Sequence, residues 1–160
     1  LIAFTDMHYG RQQANLAHEC GDFILRRSDG VYAYQLAVVI DDALMGVNQV
    51  VRGCDLLSST PVQLYLYRLL NLTPPSFCHI PLLTDTEGRR LSKRDGDLEI
   101  AALRQHFGSP EPIIGLLAYL AGQLPKLEPI TAAELLPLFR PEAVPHDNIV
   151  VPQLLELRRQ

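Results

Sequence analysis

Between Tyr34 and Asp85 the chain alternates helix-patterned and strand-patterned segments, and this alternation limits the possible folds more than any other feature. In YQLAVVIDDALMG the apolar residues Leu36, Ala37, Val39, Ile40, Ala43 and Leu44 recur at helical spacing, and Gly46 ends the segment. VNQVVRG is short and β-branched, so it predicts a strand that closes at Gly53. Ser58, Ser59 and Thr60 precede Pro61 and the apolar-periodic run VQLYLYRLLNL. Thr60 as N-cap, with Pro61 at the first helical position, predicts a helix start. Pro74-Pro75 breaks the chain, and FCHIPLLTD predicts another strand. Such alternation predicts an α/β fold, a parallel sheet covered by helices. Ligands of these sheets sit at the carboxyl ends of the strands.

On either side the pattern changes. FILRRSDG predicts a strand running into a tight turn. After Gly96 the strands are expected to stop. LEIAALRQHFG predicts one helix ending at Gly108, and Ser109-Pro110-Glu111 starts a second. That second helix, PIIGLLAYLAG, is apolar nearly all round and is expected to be buried. Thr131 and Glu134 form a capping box for a third, in which Pro137 predicts a kink or an early end. The expected division is an α/β part over residues 1–100 and a helical region over 101–160.

The net charge of −4 gives no global basic field, so a nucleic acid would have to be met by a local patch or by parts outside this chain. No apolar run approaches the roughly 18 to 20 residues that cross a membrane, so no membrane partner is expected. Cys20, Cys54 and Cys78 are far apart and lack zinc spacing. They predict buried, reduced thiols and a cytoplasmic protein. Against this background RLSKRDGD stands out. Arg90, Lys93 and Arg94 crowd three cations into five residues and Asp-Gly-Asp follows. Alone, the stretch reads as a solvated turn or as a loop that holds a polyphosphate.

Arg90, Leu91, Ser92, Lys93 and Arg94 are similar to the KMSKS signature of class I aminoacyl-tRNA synthetases. The wider text SDGVYAYQLAVVIDDALMGVNQVVRG, DLLSSTPVQLYLYRLL and HIPLLTDTEGRRLSKRDGD resembles the second half of the glutamyl-type catalytic domain, a Rossmann-like nucleotide-binding fold. The resemblance runs from roughly Phe4 to Gly122. Two branches compete, the glutamyl-tRNA synthetases and the truncated glutamyl-Q tRNA(Asp) synthetases. Val38 stands where full-length enzymes usually show Asn, and Cys54-Asp55-Leu56 where they show Glu-Glu-Trp. Both departures favour the truncated branch, as does a chain that ends about 65 residues after the signature. RLSKRDGD itself is closer to the full-length enzymes.

The resemblance implies that glutamate and ATP form glutamyl-adenylate, with Mg²⁺ accompanying ATP. The acyl group then passes to queuosine of tRNA(Asp), or to tRNA(Glu) in the full-length branch. Lys93 is the implied catalytic cation, with Arg90, Ser92 and Arg94 beside it on ATP. Arg52 is implied to pair bidentately with the glutamate side chain, which suits a guanidinium, and Tyr34 to contact the amino acid. The competing structural readings are an Arg52 salt bridge to Asp41, Asp42 or Asp55, and a Tyr34 ring in the core. Asp41 and Asp42 are adjacent and face different sides of a helix, so a cap or packing role is expected of them. His79 reads as a packed histidine, and Arg26-Arg27 as a solvated strand end or a tRNA contact. The chain lacks the family's HIGH signature, and the cysteines that hold zinc in some truncated relatives also belong upstream. The chain is therefore expected to be the C-terminal part of a catalytic unit, inactive by itself. A catalytically incompetent module that binds tRNA or protein is the remaining alternative.

Overall fold

The computed structural model describes residues 1–91 and 100–151. Its contacts divide the chain into two compact units, Leu1–Ile80 and Pro81–Gln160.

The first unit opens with an antiparallel hairpin of β1 (Ile2–Asp6) and β2 (Gly10–Ala14), followed by one turn of helix, α1 (Leu16–Glu19). The hairpin has no apolar signature in β2, GRQQA, and the sequence did not announce it. The strand expected over FILRR does not form. Arg27 N–H donates to Val31 O and Ala33 N–H to Leu25 O, so the segment folds back on itself and leaves a single bridge, Arg26 to Tyr32. Both arginines are used within that turn. Arg26 Nε donates to Gly30 O at 3.0 Å, and Arg27 pairs with Asp29 at 2.7 Å.

The alternating segment then follows the expected order. α2 (Tyr34–Met45) ends at Gly46, whose φ of 69° makes it a left-handed cap. β3 (Gln49–Gly53) runs into a 3₁₀ segment, Cys54–Ser59, then α3 (Thr60–Leu69) and β4 (Ser76–Ile80). β3 and β4 pair in parallel, with Arg52 opposite His79. A helix between two parallel strands is the unit that buries one sheet face. Val39 of α2 packs on Leu66 and Tyr67 of α3, with Phe23, Val38, Ala43 and Leu72 around them. Thr60 begins α3, but Ser59 occupies the N-cap position and makes no side-chain cap bond. The Thr60 hydroxyl is turned inward instead.

In the second unit β5 (Leu83–Thr84) is followed by α4 (Ile100–Phe107), α5 (Glu111–Leu120) and α6 (Ala132–Leu135). The capping box of Thr131 and Glu134 is present, and α6 ends before Pro137, which lies in the 3₁₀ segment Leu136–Leu138. A second 3₁₀ segment covers Pro141–Ala143. Two expectations are corrected here. The strands do not stop after Gly96, because β6 (Ile149–Val150) pairs in parallel with β5. Nor is α5 buried all round. Ile113, Gly115 and Ala118 are buried, whereas Leu117 and Tyr119 are 45% and 44% exposed. One face is enough, because Gly115 brings the helix against the Glu128 carbonyl. The three cysteines are half-buried rather than buried, and no described helix is long and apolar enough to cross a membrane.

Candidate active site

Period-two alternation sends Val50 and Arg52 of β3 to the inner face and leaves Val51 61% exposed. On β4 the same rule buries Phe77 and His79. The parallel register therefore lays the Arg52 side chain over β4. Its guanidinium lies 5.1 Å from the Phe77 ring centre, and the Phe77 and His79 rings are near-parallel at 6.2 Å.

Half burying a guanidinium is costly unless its donors are satisfied. Arg52 Nε donates to His79 Nε2 at 2.9 Å and Nη2 to Thr60 Oγ1 at 2.8 Å, with Leu56 O at 3.5 Å. Tyr34, the first residue of α2, adds an acceptor for the guanidinium in its side-chain oxygen. Burial pulls the Arg52 pKa down, and the Tyr34 hydroxyl, Asp42 and Asp55 pull it back up. A guanidinium stays charged under either influence. The aspartates act on Arg52 through space, while the bonds just given go to His79, Thr60, Leu56 and Tyr34. Tyr34 itself is 54% exposed, so it is not a core ring. The two residues singled out for the amino acid thus meet at the carboxyl end of β3.

Behind Arg52 stands a residue that the sequence did not reveal. Asp6, at the end of β1, is 1% exposed, and its Oδ2 lies 2.6 Å from His79 Nδ1. Burial alone would raise the Asp6 carboxyl. Hydrogen bonds from Tyr9 N–H, the His79 ring, His8 N–H and His79 N–H outweigh burial and hold the carboxyl below its ordinary range. An aspartate before the turn Met7-His8-Tyr9 signals a local cap, but nothing local announces His79, 73 residues on. His79 is packed, as expected, and is also the link between Asp6 and Arg52. Tyr67, 2% exposed, has no hydrogen-bond partner for its hydroxyl among the described residues. Burial pushes its pKa up, Asp42 adds to this and Arg52 opposes it. Asp41 is exposed and Asp42 half-buried on successive positions of α2, so they form no paired site.

In the second unit Asp85 organises the turn that leads into the basic stretch. Its carboxylate accepts from Glu87 N–H at 3.0 Å, Arg89 N–H at 2.8 Å and Arg89 Nε at 2.9 Å. Leu91 N–H returns to Leu83 O, and Arg90 bridges back to Thr84. Arg90 is exposed. Ser92, Lys93 and Arg94 lie outside the described residues. Among the described residues no group of three His, Cys, Asp or Glu could hold a metal ion.

Residues 2–140 match the family model described as tRNA synthetases class I (E and Q), catalytic domain. Over 151 residues the chain is 48% identical to a glutamyl-Q tRNA(Asp) synthetase of Symbiobacterium thermophilum, covering 94% of this chain and 46% of that protein. A protein of the same name from Nitratidesulfovibrio vulgaris is 51% identical over 152 residues, 95% of this chain and 47% of the relative. The chain thus spans about half the length of the curated relatives it matches. Among solved structures, a glutamate tRNA ligase from Elizabethkingia meningosepticum, in complex with its amino acid, superposes with a TM-score of 0.76 at 25% identity. The match covers 97% of this chain and 35% of that one.

Proposed function

The chain belongs to the catalytic-domain family of class I tRNA synthetases for glutamate and glutamine, with its Rossmann-like α/β fold, and from that premise we propose that the complete protein activates L-glutamate and transfers it to queuosine of tRNA(Asp). The observation that carries this reading is Arg52, a half-buried cation held on two of its nitrogens at the end of β3 with Tyr34 beside it. A fixed guanidinium matches a carboxylate and mispairs with the amide of glutamine.

ATP enters as a substrate with its magnesium. A glutamate α-carboxylate oxygen attacks the α-phosphorus, the bond to the bridging oxygen breaks, and pyrophosphate leaves. Charge grows on the phosphates, and the protein's share of the work is to position the reactants and oppose that charge. Lys93 is assigned to this task, with Arg90, Ser92 and Arg94 on the ATP phosphates. A hydroxyl of the queuosine cyclopentenediol then attacks the acyl carbon, its proton is lost to solvent, and AMP leaves.

The relatives named glutamyl-Q tRNA(Asp) synthetase, together with Val38 and Cys54-Asp55-Leu56, support the acceptor. One observation favours the second branch: RLSKRDGD is closer to the full-length glutamyl enzymes. The two readings separate when labelled glutamate is offered with tRNA(Asp) carrying queuosine, the same tRNA carrying guanosine, and tRNA(Glu). Label on the first alone is expected. Label on the terminal ribose of tRNA(Glu) would assign the protein to the other branch.

A further inference from the structure

An arginine side chain has enough rotatable bonds to point its fork many ways. For Arg52 the direction is set by what holds Nε and Nη2. Nε–H can only donate, so His79 Nε2, 2.9 Å away, must accept and carries no proton. Thr60 agrees with this. Its oxygen accepts from Arg52 Nη2, and its single proton is left for Leu56 O or for His79 Nε2, each 3.2 Å away. Either choice is compatible with Nε2 as the acceptor that Arg52 Nε requires. The ring proton then sits on Nδ1, facing Asp6 Oδ2 at 2.6 Å. Asp6 is fixed in turn. Oδ1 accepts from His8 and Tyr9 N–H at 3.0 and 2.9 Å, and His79 N–H lies 3.3 and 3.2 Å from the two oxygens. His79 is fully buried and Asp6 is 1% exposed, so water does not compete for either.

We infer that Asp6 and His79 are positioning residues that aim Arg52 at the glutamate side chain, an inference that rests on the glutamate reading above. Asp6 selects the Nδ1–H tautomer of His79. That tautomer presents a lone pair to Arg52 Nε. The bonds commit Nε to His79 and Nη2 to Thr60, so the guanidinium meets a carboxylate from its Nη1 side. A histidine kept for packing alone needs neither a cation on one nitrogen nor a carboxylate on the other. The ring here has both, in the line Asp6–His79–Arg52 across β1, β4 and β3. The same line explains why a hairpin whose second strand, GRQQA, is largely polar is docked on the sheet. Met7 N–H donates to Phe77 O at 2.8 Å and brings Asp6 under His79.

Two measurements on the complete protein test this. Nitrogen-15 NMR of the wild type, with labelled histidine, reads the tautomer directly. A proton on Nδ1 of His79 is expected, and a proton on Nε2 alone overturns the inference whether or not any variant folds. ATP–pyrophosphate exchange then compares His79→Leu with His79→Gln, whose amide oxygen can still accept from Arg52. His79→Leu should raise KM for glutamate roughly 10- to 100-fold, as expected for losing a hydrogen bond to a charged group. It should leave KM for ATP within about twofold and narrow the preference for glutamate over glutamine. His79→Gln should recover most of the loss. Equal behaviour of the two variants, or glutamate and ATP constants moving together, would overturn the positioning role. Wild-type protein without glutamate-dependent exchange would instead contradict the glutamate reading itself.

Discussion

Two arginines of this chain, Arg52 and Arg90, are each placed by a strand end and are held in opposite ways. Arg52 is half-buried at the end of β3, and its partners come from α2, β4, the 3₁₀ segment and α3. Arg90 is exposed, just beyond a turn that a single carboxylate, Asp85, ties together. The difference matches the proposed tasks. Choosing a carboxylate over an amide requires donors whose direction is set before the ligand arrives, and packed neighbours set it. Opposing the charge that grows on a polyphosphate requires a cation near the phosphates as that charge develops.

The largest effect should come from the basic stretch. Lys93→Ala is expected to lower kcat for adenylate formation by roughly 10²- to 10³-fold, the loss for one cation aimed at developing charge, with a smaller change in ATP affinity. Stopped-flow adenylate formation in the complete protein checks it. Unchanged kcat with weakened ATP binding would mean that the stretch serves only the ground state. Arg52→Ala sharpens the other side of the comparison. It removes a charge-assisted pair worth about 2 to 4 kcal/mol, or roughly 30- to 1,000-fold in kcat/KM for glutamate, while the ATP constant stays near wild type. A variant of normal activity would leave the network around Arg52 without a purpose.

Next in size is a packing test of the second unit. A Cβ on Gly115 would stand 1.9 Å from Glu128 O, and the obstruction is backbone. Gly115→Ala should cost roughly 1 to 3 kcal/mol in urea unfolding. A neutral result would mean that α5 is not seated against residue 128.

The smallest effect is the acid response. Asp6 and Asp85 both have carboxyls held below their ordinary range, Asp6 against burial by bonds from Tyr9, His79 and His8, and Asp85 against burial by Arg89 and Glu87. Depressed folded-state values mean stability that is fully present above the unfolded value of about 4 and is lost as pH falls through the folded one. Urea midpoints should therefore drop below about pH 4. Asp6→Asn should flatten that drop more than Asp85→Asn, because its carboxylate is buried with the His79 ring. Equal flattening would erase the contrast between the two sites.

What could be read from the sequence follows the range of the interactions. α2, β3, α3 and the Thr131 capping box are written in local periodicity and end signals, and they form where expected. Arg52 and Tyr34 were singled out through resemblance to a family, and the structure brings them together at the end of β3. The Asp6–His79 bond was not legible, because its halves lie 73 residues apart and each looks like a local cap or a packed ring. β6 fails for the same reason, since two residues pair with Leu83 and Thr84 across more than 60 positions and carry no local signal. Thr60 was legible as a helix start and illegible as a partner of Arg52, because the turn that frees its hydroxyl is made by the 3₁₀ segment before it. The FILRR strand shows the converse error. Three apolar residues gave the right local pattern, but the chain reverses before a second strand can pair with them.

The claim on which the rest depends is that Arg52, as held here, makes the site one for a carboxylate. ATP–pyrophosphate exchange by the complete protein, run with L-glutamate and with L-glutamine and with or without tRNA, tests it directly. Exchange with glutamate and a glutamine kcat/KM lower by roughly 30-fold or more is the predicted result. Equal exchange with the two amino acids would contradict it.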